Sequence, residues 1–411
     1  MGAPGEPQGP VLVVFNQFPK RSETFLFREF VAWRRRGIEV RAFSLLPPEA
    51  DLASEMDPWR HDVLYLHTLL RPGPVWHWLV AASGGLARAF GGGACPSPPS
   101  GRLRVAVAGW AAGLALAQVA RHLGARRIHA AWGNAPAEAA LHASRQTGLP
   151  YTVSLHAADF WRDTRAHAPR LVAAEWLFVC NRALASDVLR DNPALEPRLR
   201  LVPHGLDTER FQPVARRAGP PWRLLAVSRL VPKKGLEVLV DVCRRLDSAG
   251  LDFACEVVGG GPLAGSLLRR VREAGLGSRV RLTGPRDHDA VARAMAHSHV
   301  LVMPSRVAED GDREGLPNVL LEALLTGLPV VATRTGSVGE VLTHDETGYL
   351  ADVDDAAGLA RAVVDLTSSY SRGLELGAAG RERVLQRVSR GDQGEALAAV
   401  FEGDPVRRGS D

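Results

Sequence analysis

Short apolar runs, each followed by a polar loop and then a helical segment, recur through both halves of this chain. Val11–Phe15 in the first half and Val300–Met303 in the second half are clear examples. Uninterrupted apolar runs of this length are typical of parallel strands that are buried on both faces of a sheet. Strands that alternate with helices in this way predict an α/β fold with parallel, doubly wound sheets.

The length of the chain, 411 residues, favours two domains, each large enough to bury a core of its own. Residues 212–221 are the best linker between them, because this stretch holds three prolines and a glycine and has no apolar periodicity. The sequence therefore predicts a first domain over residues 1–212 and a second domain over residues 221–383.

Composition and charge indicate which broad class of protein this is and which partners it is expected to have. With 46% apolar and 23% charged residues, the chain has the composition of an ordinary soluble globular protein. Residues 1–200 hold 23 Lys and Arg against 16 Asp and Glu, and this basic excess could meet an anionic surface. Because the bases are scattered rather than arranged in a stripe, we read most of them as a solvated surface and expect no nucleic-acid partner.

The sequence also indicates where in the cell the protein is expected. Val75–Phe90 is the most apolar long stretch, but two glycines and an arginine interrupt it, which favours a core or interfacial helix over a membrane span. The glycine- and proline-rich start of the chain does not resemble a signal peptide. The four cysteines lack the spacing of a zinc or redox site and suit reduced thiols. We therefore expect a cytoplasmic protein.

Glu309–Leu328 is the stretch with the richest chemistry. Pro317 suits the first turn of a helix, the leucines that follow recur at the spacing of a buried helix, and Gly327 is a natural stop. This pattern predicts Glu314 in a loop at the mouth of the helix and Glu322 inside it. A helix mouth offers free N–H groups that suit a phosphate. On this evidence alone, a ligand site and a capped surface helix with two acids are equally open.

Other strand ends in the second half supply cations and glycines. Arg229 and Lys234 lie five residues apart across a turn that leads into a helix. A guanidinium fork and a point charge can together grip a diphosphate, whereas two ordinary surface bases would be unfavourable at a helix start. Gly259–Gly261 would let the backbone approach a ligand closely. Carboxylates such as Glu314 and Glu322 suit the hydroxyls of a sugar instead.

The strand ends of the first half are less specific. The loop over residues 16–24 has no glycine, so a dinucleotide is not expected there, and residues 22–24 are predicted to cap the next helix. His156 and Asp159 follow a buried strand, at the edge where α/β sheets hold ligands. A histidine satisfied within the fold and a surface aspartate are an equally open interpretation.

We expect no metal ion and no cofactor. No set of His, Cys, Asp and Glu has convincing ligand spacing in the sequence. Asp310 and Asp312 form an Asp-x-Asp, but they lie in a glycine loop and do not close an apolar strand. We interpret this segment as part of a lid rather than as a magnesium site.

Together these motifs resemble glycosyltransferase family 4. The resemblance implies the α/β GT-B fold, with two doubly wound Rossmann-like domains facing across a cleft. It is most specific in the second half, and in the first half it points to the subgroup that makes exopolysaccharides such as colanic acid and amylovoran. The matching segments are SRLVPKKGLEVLV, VVGGGPL, LTGPR, VLVMPS, EDGDREGLPNVLLEALLTGLPVVAT and ETGYL, with FPKRSETFLFREFVAWRRRGIEV, RIHAAWGN, SLHAADF and VPHGLD in the first half.

The resemblance also implies roles for individual residues. It implies retaining, metal-independent transfer of a sugar from a nucleotide-diphosphate sugar to an acceptor hydroxyl. The diphosphate would lie on Arg229 and Lys234, the donor hexose on Glu314 and the ribose on Glu322. The implied catalytic residues are His156, Arg229, Lys234 and Glu314, and the implied donor-binding residues are Arg229, Lys234, Gly260, Gly261, Arg286, Glu314, Gly315, Leu316, Asn318 and Glu322.

The first domain is expected to bind the acceptor, and the architecture implies that a helix over residues 384–402 packs back onto it. Two loops depart from the family pattern: residues 22–24 are not glycine-rich, and Gly336–Glu340 lacks the usual proline. Their contacts with phosphate and sugar are therefore open. The expected acceptor-binding residues are Ser22, Glu23, Thr24, Asn134 and Asp159.

The sequence leaves alternatives open for the acceptor and for the reaction. The acceptor could be a saccharide, a lipid-linked molecule or a natural product, and the basic first half favours a membrane-bound acceptor with peripheral association at the inner membrane face. A nucleotide-sugar epimerase of the same fold is one alternative function. A non-catalytic subunit that binds a nucleotide sugar is another.

Overall fold

The computed structural model describes residues 9–50, 52, 54–69, 101–163, 168–388 and 392–403. The helix predicted within Val75–Phe90 lies outside these residues. The chain forms two compact units. The first comprises Met1–Val179, Leu184–Val202 and Gln393–Asp411, and the second comprises Cys180–Ala183 and Pro203–Asp392.

The first unit is built on a seven-stranded parallel sheet. Its strands are β1 (Val11–Gln17), β2 (Val40–Leu46), β3 (Val63–Tyr65), β4 (Arg127–Ala130), β5 (Tyr151–Leu155), β6 (Trp176–Val179) and β7 (Leu199–Leu201). Its helices before the second unit are α1 (Thr24–Arg35), α2 (Leu66–Leu69), α3 (Gly101–Leu123), α4 (Ala135–Thr147), α5 (Ala157–Asp163), α6 (Pro169–Val172) and α7 (Arg182–Asp191). The strand order is β3-β2-β1-β4-β5-β6-β7.

The central strand β1 shows why its sequence is apolar without interruption. Val11 pairs with Val40 on one side and with Arg127 on the other. Leu12 contributes to one apolar cluster of the unit and Val13 to another, so the strand is buried on both faces. A polar residue at either position would lose its hydration without gaining a partner.

The second unit is built on a six-stranded parallel sheet. Its strands are β8 (Trp222–Val227), β9 (Phe253–Val258), β10 (Val280–Gly284), β11 (Val300–Met303), β12 (Val330–Thr333) and β13 (Tyr349–Ala351). Its helices are α8 (Leu236–Ser248), α9 (Ala264–Glu273), α10 (His288–His297), α11 (Asn318–Leu325), α12 (Ala356–Ser368) and α13 (Tyr370–Val388). The strand order is β10-β9-β8-β11-β12-β13.

Both sheets reverse their strand order once, between β1 and β4 in the first unit and between β8 and β11 in the second. Doubly wound sheets open a crevice at such a switch point, beyond the carboxyl ends of the strands. The predicted doubly wound topology is therefore confirmed for each unit. The two switch points are the places where ligands are expected.

The boundary between the units differs from the predicted linker over residues 212–221. Apart from Cys180–Ala183, the second unit begins at Pro203, and Arg216, inside the predicted linker, is anchored there. Its guanidinium donates to the backbone oxygens of Ser298 at 3.1 Å and Thr326 at 2.8 Å, among others. Proline and glycine content thus indicated an irregular segment, but the arginine fastens that segment to the second unit.

The return to the first unit also begins later than predicted. Val384 is fully buried in the core of the second unit, so the end of α13 cannot leave it. The chain returns with α14 (Gln393–Glu402), which is fastened by the hydrogen bond from Trp33 Nε1 to the oxygen of Gly394 at 2.7 Å. Within the described residues, none of the helices has both the length and the apolar character that crossing a membrane requires.

Replacing Arg216 with methionine tests how firmly this segment is attached. The substitution leaves partly buried carbonyl groups without their donor, and we expect the free energy of unfolding of the second unit to fall by about 2–4 kcal/mol. Urea unfolding followed by circular dichroism would measure the change. Arg217→Met is the matched control, because the Arg217 side chain is exposed. Equal stability of the two variants would contradict this assignment.

Candidate functional site

The switch point of the second unit brings two polar segments together. The first follows β8 and contains a single 3-10 turn, Pro232–Lys234, before α8 begins. The second follows β11 and leads through Glu314 into α11. The two segments touch where the nitrogen of Arg306 donates to the oxygen of Lys233 at 2.8 Å. The predicted diphosphate and sugar residues therefore lie in the segments that follow the two strands at the switch point.

Two ion pairs connect these segments. Lys234 Nζ lies 2.9 Å from Glu314 Oε1, and Lys233 Nζ lies 3.0 Å from Asp312 Oδ1. All four side chains are largely shielded, with between 6% and 13% of each side chain exposed. Neighbouring lysines on one turn thus pair with alternate acids on the facing loop.

The charge of Glu314 depends on this arrangement. Burial by itself would raise the pKa of its carboxyl group, but the charges of Lys234, Lys233 and Arg229 outweigh burial and lower the pKa below its ordinary value. Glu314 is therefore ionised at neutral pH and can only accept hydrogen bonds. A carboxylate in this state suits the hydroxyls of a sugar and repels phosphate.

The glycines in the loop after β9 are required by the packing of that loop. Gly259 has φ of 142°, and a Cβ atom built on it would lie 1.8 Å from the oxygen of Ser228. The nitrogen of Leu230 donates to the oxygen of Gly260 at 2.9 Å. These glycines let the loop pack against the segment after β8. The contact of Gly260 and Gly261 with a ligand stays a prediction.

The mouth of α11 lies beside a second tight turn. Helix α11 begins at Asn318, so Pro317, which the sequence placed in the first turn, is its N-cap residue. Gly336 has φ of 52°, and a Cβ atom there would lie 1.9 Å from the oxygen of Glu314. The nitrogen of Ser337 donates to the oxygen of Gly315 at 3.1 Å. The loop after β12 thus supports the segment that carries Glu314.

The remaining predicted donor residues are distributed around this centre. Glu322 is buried inside α11, and Leu316 is half-buried before it. Arg286 is exposed and follows β10, which is separated from β8 by β9. The hydroxyl groups of Ser228 and Thr335 are buried and have no hydrogen-bond partner among the described residues, so a ligand could satisfy them.

In the first unit, His156 lies in an aromatic setting. Its ring centroid is 4.5 Å from that of Trp132 and 5.3 Å from that of Phe25, both in edge-to-face geometry. Its Nε2 atom lies 3.1 Å from the oxygen of Ala131. The ring is thus held at the carboxyl ends of β4 and β5, where a ligand of this unit would lie.

Asp159 fastens the neighbouring loops. Its carboxylate accepts hydrogen bonds from the nitrogens of Gly133 and His156. Burial raises the pKa of Asp159 to about 7, although these hydrogen bonds oppose the shift. It is fully buried rather than a surface aspartate, so the surface interpretation was wrong. A role in binding the acceptor stays a prediction.

The other predicted acceptor residues occupy the start of α1 and the switch point. Asn134 Oδ1 accepts from Asn16 Nδ2 at 3.0 Å, which links the ends of β4 and β1. Helix α1 begins at Thr24, and the side chain of its N-cap residue, Glu23, makes no capping hydrogen bond within the described part of the chain. Glu23 instead pairs with Lys20, and Ser22 is exposed.

Sequence reasoning missed Lys233 and Asp312. Lys233 was seen only as the neighbour of Lys234, and Asp312 was assigned to a lid. The structure instead pins Asp312 to Lys233 in a buried position. Two adjacent lysines followed by two alternate acids were a signal of charge complementarity, but the signal is visible only once β8 and β11 are known to be neighbours.

Comparison with known families bears on this site directly. Residues 221–369 match the family model for group 1 glycosyl transferases. Residues 221–369, within the second unit, are therefore similar to a group 1 glycosyl transferase domain. The glycosyltransferase resemblance that the motifs predicted is confirmed, and the site described above lies within this domain.

Two named relatives match half of this chain or more. The amylovoran biosynthesis glycosyltransferase of Erwinia amylovora is 29% identical over 253 residues, which cover 60% of this chain and 62% of that protein. The GDP-mannose-dependent alpha-(1-6)-phosphatidylinositol monomannoside mannosyltransferase of Mycobacterium tuberculosis is 35% identical over 224 residues, covering 51% and 57%. The chain spans less than two thirds of the length of each relative.

Solved structures agree on the fold. HepE of Anabaena, in complex with UDP and glucose, superposes with a TM-score of 0.69 at 17% identity, covering 96% of this chain and all of that one. The sucrose-phosphate synthase of Thermosynechococcus elongatus also has a TM-score of 0.69, at 20% identity, and covers 96% and 98%. The predicted α/β GT-B fold class, with two doubly wound Rossmann-like domains, is thereby confirmed.

The lowered pKa of Glu314 predicts a pH dependence of stability. Because the folded protein favours the ionised form more than the unfolded chain does, the ion pair contributes stability above the ordinary glutamate pKa of 4.5. That contribution is lost as pH falls through the lower folded value. The difference in unfolding free energy between the wild type and Glu314→Gln should therefore shrink in acid. A difference that is the same at pH 7 and in acid would contradict the lowered pKa.

Proposed function

We propose that this protein is a retaining glycosyltransferase that moves a sugar from a nucleotide-diphosphate sugar to an acceptor hydroxyl. The observation that carries the proposal is the pairing of Lys234 with the ionised Glu314 beside Arg229, at the switch point of a group 1 glycosyltransferase domain. Cations for a diphosphate and a carboxylate for a sugar thus occupy one crevice.

Each group has a distinct task in this proposal. Lys234 and the exposed guanidinium of Arg229 hold the diphosphate, because both act on Glu314 from the segment after β8 and can neutralise the charge of the diphosphate. Glu314 accepts hydrogen bonds from the donor sugar, and the buried Glu322 holds the ribose hydroxyls. The free N–H groups at the mouth of α11 add a partial positive charge toward the phosphates.

The transfer breaks the bond between C1 of the sugar and the β-phosphate oxygen. The nucleoside diphosphate leaves with the electron pair, and the acceptor oxygen forms a new bond to C1 on the same face. The acceptor proton passes to the departing β-phosphate, so the protein need not supply a nucleophile. Lys234 and Arg229 stabilise the charge that develops on the leaving group, and we propose that they do so without a metal ion.

The nucleotide is proposed as a class rather than as one compound. HepE was solved with UDP and glucose, and the mycobacterial relative is named as GDP-mannose-dependent. Both observations support a nucleotide-diphosphate sugar as the donor. The assay should therefore begin with UDP- and GDP-sugars in parallel.

We place the acceptor in the first unit, near His156 and the aromatic rings of Trp132 and Phe25. Aromatic faces suit the apolar faces of sugar rings, which favours a saccharide or a lipid-linked saccharide as the acceptor. We also propose peripheral membrane association and a role in polysaccharide synthesis. The basic excess of residues 1–200 and the similarity to the amylovoran enzyme support these two proposals.

Epimerisation of the nucleotide sugar is less well supported. The relatives described above are named as glycosyltransferases and not as epimerases. Incubation of the donor without an acceptor distinguishes the two reactions. Rapid formation of the epimeric nucleotide sugar would contradict the proposed transfer.

Replacing Lys234 with alanine tests the role of the cation. We expect turnover at saturating donor to fall about 10²–10³-fold, as for loss of one group that stabilises a developing anion. Release of nucleoside diphosphate in the presence of an acceptor panel would measure it. Arg281→Ala, at an exposed side chain on β10, is the matched control. Near-normal turnover of Lys234→Ala would contradict the role of Lys234 in stabilising the leaving diphosphate.

A further inference from the structure

We propose that Lys233 and Asp312 form a positioning pair that fixes Glu314 against the donor sugar. This inference rests on the proposed glycosyltransferase function. Neither side chain needs to touch the substrate. Their task is to hold the segment between β11 and α11 so that the Glu314 carboxylate meets the sugar in one geometry.

Lys233 contacts the segment near its start and again just before Glu314. Its backbone oxygen accepts from the nitrogen of Arg306 at 2.8 Å, near the end of β11. Its ammonium group lies 3.0 Å from Asp312 Oδ1 and donates to the oxygen of Arg313 at 3.3 Å. One buried residue thus fixes the beginning of the segment and the two residues immediately before Glu314.

Asp312 is also the closing residue of a compact turn. Its backbone oxygen accepts from the nitrogen of Ala308 at 2.8 Å, and its nitrogen donates to Asp310 Oδ1 at 3.0 Å. Gly311 has φ of 80°, a left-handed conformation that the turn requires. These contacts make the turn a compact unit, and the ion pair with Lys233 fixes where that unit lies.

Glu314 is supported from the opposite side as well. The oxygen of the next residue, Gly315, accepts from Ser337 in the loop after β12, and Gly336 lies directly against the oxygen of Glu314. The backbone around Glu314 is thus held by Lys233 and Asp312 on one side and by residues 336 and 337 on the other. The side chain itself pairs with Lys234.

The energetics distinguish positioning from simple stabilisation. Removing one partner of a buried ion pair leaves an uncompensated charge and is strongly destabilising. Replacing both partners with apolar residues of similar size is often neutral or stabilising. A pair that serves stability alone can therefore be replaced without loss, whereas a pair that sets the geometry of Glu314 cannot.

The double variant Lys233→Met with Asp312→Leu tests this distinction. We expect its unfolding midpoint to stay close to that of the wild type, while kcat falls about 10–10²-fold at neutral pH and above because Glu314 is misplaced. A loss of kcat confined to acid would instead reflect the charge by which Lys233 lowers the pKa of Glu314, and would overturn the positioning role. The affinity for nucleoside diphosphate should change less than threefold, since Lys234 and Arg229 are intact. Expressing kcat per binding site titrated with UDP or GDP removes any contribution from unfolded protein.

The outcomes separate the inference from the proposed function. A double variant with the kcat of the wild type per titrated site would overturn the positioning role and leave the glycosyltransferase proposal intact. A wild type that binds nucleoside diphosphate but turns over no donor would overturn both. A loss of nucleoside diphosphate affinity equal to the loss in kcat would also overturn the positioning role, because the pair would then act on the diphosphate site as a whole.

Discussion

A buried carboxylate stays ionised when cations or hydrogen-bond donors compensate its lost hydration, and cations do so for Glu314 at the switch point of the second unit. The charge on Glu314 depends on Lys234, Lys233 and Arg229, which all belong to the segment after β8. That segment reaches β11 only because the sheet reverses its order between these strands. Gly259 and Gly336 then let the neighbouring loops pack directly against the backbone of Ser228 and Glu314. The strand order, the positions of the glycines and the nearby cations together determine the surroundings of the Glu314 carboxylate.

This arrangement supports the proposal that one crevice binds both ends of a nucleotide-diphosphate sugar. The ammonium of Lys234 already faces an anion, so a diphosphate adds a second negative partner to a cation that the fold holds in place. The acid that balances it, Glu314, lies at the mouth of α11 and is itself suited to sugar hydroxyls. Preorganised groups of this kind need little rearrangement when charge develops on the leaving phosphate. The buried pair of Lys233 and Asp312 gives the arrangement its rigidity.

The sequence alone predicted the parallel sheets, because uninterrupted apolar strands and glycine-punctuated helices are local patterns. It also predicted which strand ends carry charge, and the structure places Lys234 and Glu314 in contact. It failed where the answer depended on distant contacts. The linker looked unstructured because nothing local shows that Arg216 reaches the carbonyl groups of Ser298 and Thr326. Lys233 and Asp312 are 79 residues apart, and only the pairing of the strands makes them neighbours.

Thermal unfolding of the full chain with nucleotides tests the central claim most directly. If Lys234 and Arg229 form a diphosphate site, UDP or GDP should stabilise the protein, by about 2.7 kcal/mol at a concentration 100 times its Kd. The corresponding nucleoside monophosphate should stabilise it much less, and Lys234→Ala should remove most of the difference. Equal stabilisation by monophosphate and diphosphate, or a difference that persists in Lys234→Ala, would contradict the account.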